Sequence, residues 1–146
     1  AARPTLRMQR HFDAPRPLVW RAWTSPEIRV LWMGPVEWPM VSGAGDFRVG
    51  GEWRACLRSP DTGENLWQGG VYREIAPPRR LAFTWAWEAN GARGHETVVE
   101  LEFLPAGRNT RLVLHHKGFE TADSRDKHSH GWGSSFNCLE QHLQGE

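Results

Sequence analysis

His116 stands in the stretch Arg111-Leu112-Val113-Leu114-His115-His116-Lys117, where a period of two puts its imidazole on the same side as Leu112 and Leu114. An imidazole on a dry face can orient a ligand's polar group or move a proton near neutral pH. Acid–base catalysis also needs a second polar group to orient or complement the first. Alternation sends Glu96, Glu100 and Glu102 to the opposite face, so a carboxylate partner for His116 has to come from a loop. The plainer reading is a histidine at a strand end, held by backbone or water. Arg10, and with it Arg73, shares a row with inward apolar residues. A guanidinium taken out of water needs an anion, and a ligand carboxylate would serve. The plainer reading of Arg10 packs its stem and sends its head to solvent at the sheet edge.

The other residues able to do chemistry are poorly placed for it. His95, His115, His128 and His130 offer imidazoles for a metal, but His128 and His130 fall in a polar segment before the closing helix. His115 points opposite to His116, and no cysteine or carboxylate completes a ligand set. Cys56 and Cys138 are isolated, giving neither a disulfide framework nor a C-x-x-C pair, which fits a reducing, cytoplasmic setting. Asp46-Phe47-Arg48-Val49-Gly50-Gly51 runs into a strand rather than a helix N-terminus, so it reads as a tight turn and not a phosphate loop. No G-x-S-x-G elbow is present, and no motif calls for a cofactor. Nine tryptophans against one tyrosine are the distinctive feature: either the core is rich in rings or rings line a cavity.

The elements that position these groups follow from patterning. With 146 residues, the length fits one domain spanning the whole chain, and 39% hydrophobic residues suffice for a core. Eighteen basic and 17 acidic side chains leave a net charge of +1, so neither a nucleic-acid arm nor a polybasic membrane patch is indicated. No apolar run approaches the roughly 20 residues of a membrane span. Residues 5–13 alternate as a strand, with Leu6, Met8, Arg10 and Phe12 on one face. Asp13 and Pro15 then start a short helix over 15–23, and Ser25-Pro26-Glu27 starts a second that ends near Trp32. From 44 to 117 the period is two, and strands are predicted at 44–49, 51–58, 66–75, 80–88, 95–104 and 108–117. Their turns lie at Gly50-Gly51, Asp61-Thr62-Gly63, Ala76-Pro77-Pro78, Asn90-Gly91 and Pro105-Ala106-Gly107. The inward rows are Trp53, Ala55 and Leu57; Leu81, Phe83, Trp85 and Trp87; Val99, Leu101 and Phe103; and Leu112, Leu114 and His116. Thr84 falls on the wet side, and strand 66–75 is ambiguous because Trp67, Val71 and Ile75 share a row with Arg73. Trp132, Phe136, Leu139 and Leu143 form one stripe of a long closing helix capped at Asp123 or Ser124, and Gly131 and Gly133 imply either close backbone packing, the favoured reading, or a helix that starts later.

This order, strand, two short helices, six strands, long helix, resembles the α+β helix-grip fold of the START-like (SRPBCC) superfamily. It is most similar to the branch related to the activator of Hsp90 ATPase (AHSA1-type). The resemblance rests on Ala14-Pro15 with Val19-Trp20-Arg21-Ala22-Trp23-Thr24, Pro26-Glu27, Trp32 and Asp46-Phe47-Arg48-Val49-Gly50-Gly51. It continues through Pro77-Pro78-Arg79-Arg80-Leu81, Thr84-Trp85, Thr110-Arg111-Leu112 to His116, and Gly131-Trp132. It implies a curved antiparallel sheet gripping the last helix, with a gap between them for apolar small molecules. The ligand-binding residues then expected are Trp32, Met40, Trp53, Phe83, Trp85, Trp87, His116, Phe136 and Arg10. Trp38, Trp53, Trp67 and Trp87 exceed the family's usual tryptophan content and imply flat aromatic walls.

Three functions compete at this stage. The first is non-catalytic binding of an apolar, ring-bearing small molecule. The second is an enzyme resembling the cyclase and aromatase relatives of the superfamily, with His116 as its proton-handling group. The third is an interaction module that meets a chaperone, or a second copy as a homodimer, through a sheet edge or apolar patch. The absence of a second acid or base in the dry rows favours the first. Residues 33–43 and 118–130 are the segments placed to act as a lid.

Overall fold

The computed structural model describes residues 3–89 and 91–144. Strand β1 (Thr5–Phe12) leads into helices α1 (Arg16–Thr24) and α2 (Pro26–Trp32). Seven strands follow: β2 (Met40–Gly45), β3 (Glu52–Arg58), β4 (Asn65–Ala76), β5 (Arg80–Ala89), β6 (Ala92–Arg93), β7 (Thr97–Ala106) and β8 (Asn109–Lys117). Helix α3 (Ala122–Gln144) closes the chain. The sheet order is β1-β8-β7-β5-β4-β3-β2, with β6 paired to β5 alone. Every pairing is antiparallel. The sheet is curved and unclosed, and with α3 it forms an α+β helix grip.

The alternation of the sequence explains most of this. Thr97, Val99, Leu101 and Phe103 of β7 turn inward and are buried, and Leu112, Leu114 and His116 of β8 do the same. On the outer face charges pair across strands: Arg54 holds Glu88 through two 2.9 Å bonds, and Lys117 lies 2.5 Å from Glu100. Such exposed pairs contribute little energy but keep that face wet. The stripe Trp132, Phe136, Leu139 and Leu143 of α3 is buried as its spacing requires.

Several expectations are corrected. The first strand of the hairpin series is 40–45, not 44–49, because residues 46–51 form a turn in which Gly50 has φ +86° and Arg48 N–H donates to the Asp46 carbonyl. Asp13 does not cap α1; Pro15 occupies the cap position and the Asp13 carboxylate accepts from Asn109 Nδ2 at 3.0 Å. Ser25 stands at the cap of α2, yet its hydroxyl donates to Glu27 at 2.6 Å instead of serving the backbone. Helix α3 begins earlier than expected, with Thr121 Oγ1 accepting the Ser124 N–H at 3.0 Å. His128 and His130 therefore lie within α3. The Asn90-Gly91 turn falls partly outside the described residues, since Asn90 is not among them.

The ambiguity of β4 has a physical cause. A bulge between Tyr72 and Glu74 shifts its pairing with β5, so one alternation cannot describe the whole strand. Before the bulge Gln68 and Tyr72 are buried. Trp67 belongs to the other face, where Arg54 lies 3.8 Å above its ring, and Arg73 reaches outward to within 3.7 Å of Glu96. Gly70 permits an unusually close approach of β5: a Cβ there would sit 1.9 Å from the Thr84 carbonyl oxygen. Thr84 is buried instead of wet, its Oγ1 accepting the Val71 N–H at 2.8 Å. Its carbonyl accepts from Trp53 Nε1 at 3.1 Å, which sets the angle of that indole.

Candidate ligand cavity

Aromatic residues of α1, α2 and α3 fill the space over one part of the sheet. The Trp23 and Trp32 rings meet at 4.8 Å, Phe12 and Phe136 at 6.1 Å, and Trp32 Nε1 donates to the Ala22 carbonyl at 3.0 Å. Beyond this solid region the filling stops. A cavity of about 380 Å³ lies between the N-terminal half of α3, the segment joining α2 to β2, and strands β3 to β5. That volume falls near the low end of the roughly 300–1,000 Å³ typical of small-molecule sites. Its wall is largely apolar: Trp53 and Leu57 from β3, Leu66 and Tyr72 from β4, Leu81, Phe83, Trp85 and Trp87 from β5, Trp23 from α1, Met33 and Trp38 beside α2, and Trp132 from α3. Trp87, 38% exposed, and the exposed Asp123 and Lys127 mark the mouth.

Of the nine residues expected to bind ligand, Trp53, Phe83, Trp85 and Trp87 line this cavity. Trp32, Met40 and Phe136 are buried in the packed core outside its wall. Arg10 lies at β1, where its guanidinium donates to Asn137 at 2.9 Å and sits 5.8 Å from the Phe136 ring centre. Its β-strand row is right, but the cavity is elsewhere.

His116 is fully buried, and it too is absent from the cavity wall. Trp132 Nε1–H donates to its Nδ1 at 3.1 Å. An imidazole that accepts at Nδ1 carries its proton on Nε2, and this N–H faces Thr97 Oγ1 at 2.7 Å. The threonine hydroxyl in turn donates to the Trp85 carbonyl at 3.0 Å. Both imidazole nitrogens are thus occupied, one by the Trp132 indole and the other by Thr97, whose hydroxyl reaches the Trp85 backbone. Burial, reinforced by the neighbouring His128, lowers the His116 pKa from 6.5 to about 3. The imidazole is neutral at physiological pH and ties α3 to β8 behind the wall. The strand-end histidine bonded to backbone or water is replaced by one bonded to two side chains.

The sequence reading missed the polar part of the wall. Arg29 is 7% exposed and its Nη1 donates to the Tyr72 hydroxyl at 3.3 Å; its Nε is buried with no partner among the described residues. His128 donates from Nδ1 to the Ser124 carbonyl at 2.8 Å, and its Nε2 is buried and unpartnered. Burial lowers the His128 pKa, so Nε2 is a bare acceptor. Trp23 Nε1 is likewise without a partner. Among the described residues these three are the buried side-chain polar atoms left unsatisfied, and all three belong to the cavity wall. Arg29 sits on a seven-residue helix, too short for its spacing with Trp32 to declare an inward stripe, and the β4 bulge concealed Gln68 and Tyr72. The two suspected lid segments both contribute wall: Val36 N–H of the first donates to Ser134 Oγ of α3 at 3.0 Å.

Gly131 also borders the cavity, and a Cβ built on it meets nothing within 4 Å. Gly133 would meet only Met8 Cε, at 3.9 Å. The close backbone packing expected of these glycines is therefore not found; at Gly131 the missing side chain leaves room in the cavity instead.

No curated protein matches the chain. Solved structures do. The AHSA1 protein of Silicibacter pomeroyi is 27% identical with a TM-score of 0.84, over 97% of this chain and 98% of that one. A protein of Nitrosomonas europaea is 27% identical with a TM-score of 0.82, over 97% and 94%. CalU16 of Micromonospora echinospora shares the fold at 24% identity and a TM-score of 0.72, over 95% and 75%. The family described as "Activator of Hsp90 ATPase homolog 1-like protein" (AHSA1) matches residues 13–144, and the chain belongs to that family.

Proposed function

We propose that this protein binds an apolar, ring-bearing small molecule in the cavity between β3–β5 and α3, without transforming it. Membership of the AHSA1 family supports a ligand-binding or cyclase-like domain in general. The observation that carries the narrower reading is the 380 Å³ cavity walled by Trp23, Trp38, Trp53, Phe83, Trp85, Trp87 and Trp132. Rings present large rigid faces and lose little side-chain freedom on contact, so an aromatic ligand gains both apolar burial and edge-to-face contacts. The cyclase alternative rests on His116 as its proton-handling group at the substrate. His116, its candidate, is occupied at both nitrogens and lies outside the wall. Placement in the cytoplasm remains part of the proposal; among the described residues no helix is long and apolar enough to cross a membrane.

Titration with N-phenyl-1-naphthylamine, a neutral two-ring-system amine, tests this reading. Tryptophan emission and melting temperature are expected to shift together at saturation, and Trp85→Ala to weaken binding more than it lowers stability. A screen of aromatic and fatty ligands that moves neither signal overturns it.

A further inference from the structure

A wall that is largely apolar contains one buried cation with no counter-charge among the described residues. Arg29 makes no ion pair among the described residues; the Tyr72 hydroxyl is its one side-chain partner there. The charged pair at the mouth, Asp123 and Lys127, is already matched at 3.2 Å and exposed. Arginine does not escape burial by losing its proton, since its side chain stays charged in proteins. A guanidinium shielded from water and left without an anion is strongly unfavourable, and folded chains retain such groups where something else supplies the charge. The fork geometry of the guanidinium matches a carboxylate bidentately. Trp23, whose Nε1 is a second buried donor with no partner among the described residues, comes from the adjacent helix α1 and lines the same cavity. Gln68, 5% exposed, adds an amide to the wall. Two unpartnered donors, one of them on a full positive charge, outnumber the one unpartnered acceptor of the wall, His128 Nε2, and ask for an acceptor that is negative.

We infer that the occupant is an amphipathic monoanion, an apolar ring-bearing body with one carboxylate-class oxyanion seated on Arg29, with Tyr72 orienting the guanidinium. This rests on the cavity being the binding site and adds the charge class of its ligand. The apolar walls hold the body, and Arg29 fixes which end goes in.

The experiment compares 2-naphthoate with 2-naphthamide, which share ring system and shape and differ in charge. Calorimetric titration of the wild-type protein is expected to show 2-naphthoate binding at least tenfold more tightly. Arg29→Met is expected to bring the two affinities within threefold of each other by weakening 2-naphthoate alone. Tyr72→Phe is expected to reduce the preference without abolishing 2-naphthamide binding. Equal affinities in the wild type, or a preference that survives Arg29→Met, overturn the inference while leaving an apolar binding site in place. If neither probe binds the wild-type protein, the cavity reading itself falls and this inference with it. The wild-type comparison decides the matter even if Arg29→Met does not fold.

Discussion

Trp132 on α3 donates its indole N–H to Nδ1 of His116 on β8 at 3.1 Å, and this one bond selects the imidazole tautomer that passes a proton's worth of polarity on to Thr97. It links the helix to the sheet at the back of the cavity wall and holds the Trp132 ring, which lines the space in front. The histidine that looks most like a catalyst in the sequence is, in the fold, a brace between Trp132 of α3 and Thr97 of β7.

This brace makes stability depend on acid. The unfolded chain takes up a proton on His116 near pH 6.5, the folded protein only near pH 3. Between those values the unfolded state holds more protons, so stability is complete above about pH 6.5 and falls as the pH is lowered towards 3. At roughly 1.4 kcal/mol per pH unit, the loss from this residue between pH 7.5 and 5.0 is about 2 kcal/mol. His128 acts in the same direction, because burial lowers its pKa too. Urea denaturation at the two pH values is expected to show at least this loss in the wild type, and a clearly smaller one in His116→Gln. An unchanged pH dependence in the variant would show that His116 is not the group responsible.

Gly131 offers a contrasting test on the same helix. A glycine in a helix interior is about 1 kcal/mol less favourable than alanine, and at this position a Cβ meets no neighbour within 4 Å. Gly131→Ala is expected to raise stability by up to about 1 kcal/mol, read as a higher urea midpoint at constant slope. A fall would mean that the backbone there is packed after all.

Arg29→Met is expected to leave the ligand-free protein as stable as the wild type or more so, by up to about 4 kcal/mol, because it replaces a buried unpaired charge with an apolar chain of similar length. The measurement is the thermal midpoint at neutral pH without added ligand. Destabilisation by more than about 1 kcal/mol, beyond what loss of the Tyr72 bond explains, would mean that the guanidinium has a structural role.

The fold was legible in the sequence wherever one face is dry and the other wet. The rows Val99-Leu101-Phe103 and Leu112-Leu114-His116, and the stripe Trp132-Phe136-Leu139-Leu143, are buried as their periods require. Period-based reading broke down at β4, where the bulge at Tyr72/Glu74 changes phase inside one strand, and at β2, whose Gly-containing, mostly exposed residues carry little pattern. The cavity was legible only in part. Trp53, Phe83, Trp85 and Trp87 were found because they alternate inward, whereas Trp32, Met40 and Phe136 are just as apolar and differ only in having neighbours that fill the space beside them. Periodicity tells inside from outside; it does not tell a packed interior from a hollow one. Arg29 was missed for the complementary reason: a charged residue on a two-turn helix reads as surface until its neighbours are in place.

The most direct test is a fluorescence titration of N-phenyl-1-naphthylamine into the wild-type protein and into Gly131→Trp, which places an indole in the open space beside Gly131. The expected result is saturable binding of one molecule per wild-type chain, and loss of binding in a variant whose circular dichroism and cooperative melting show that it is folded. No saturable binding by the wild type, or undiminished affinity in the filled variant, would contradict a ligand site between the sheet and the last helix.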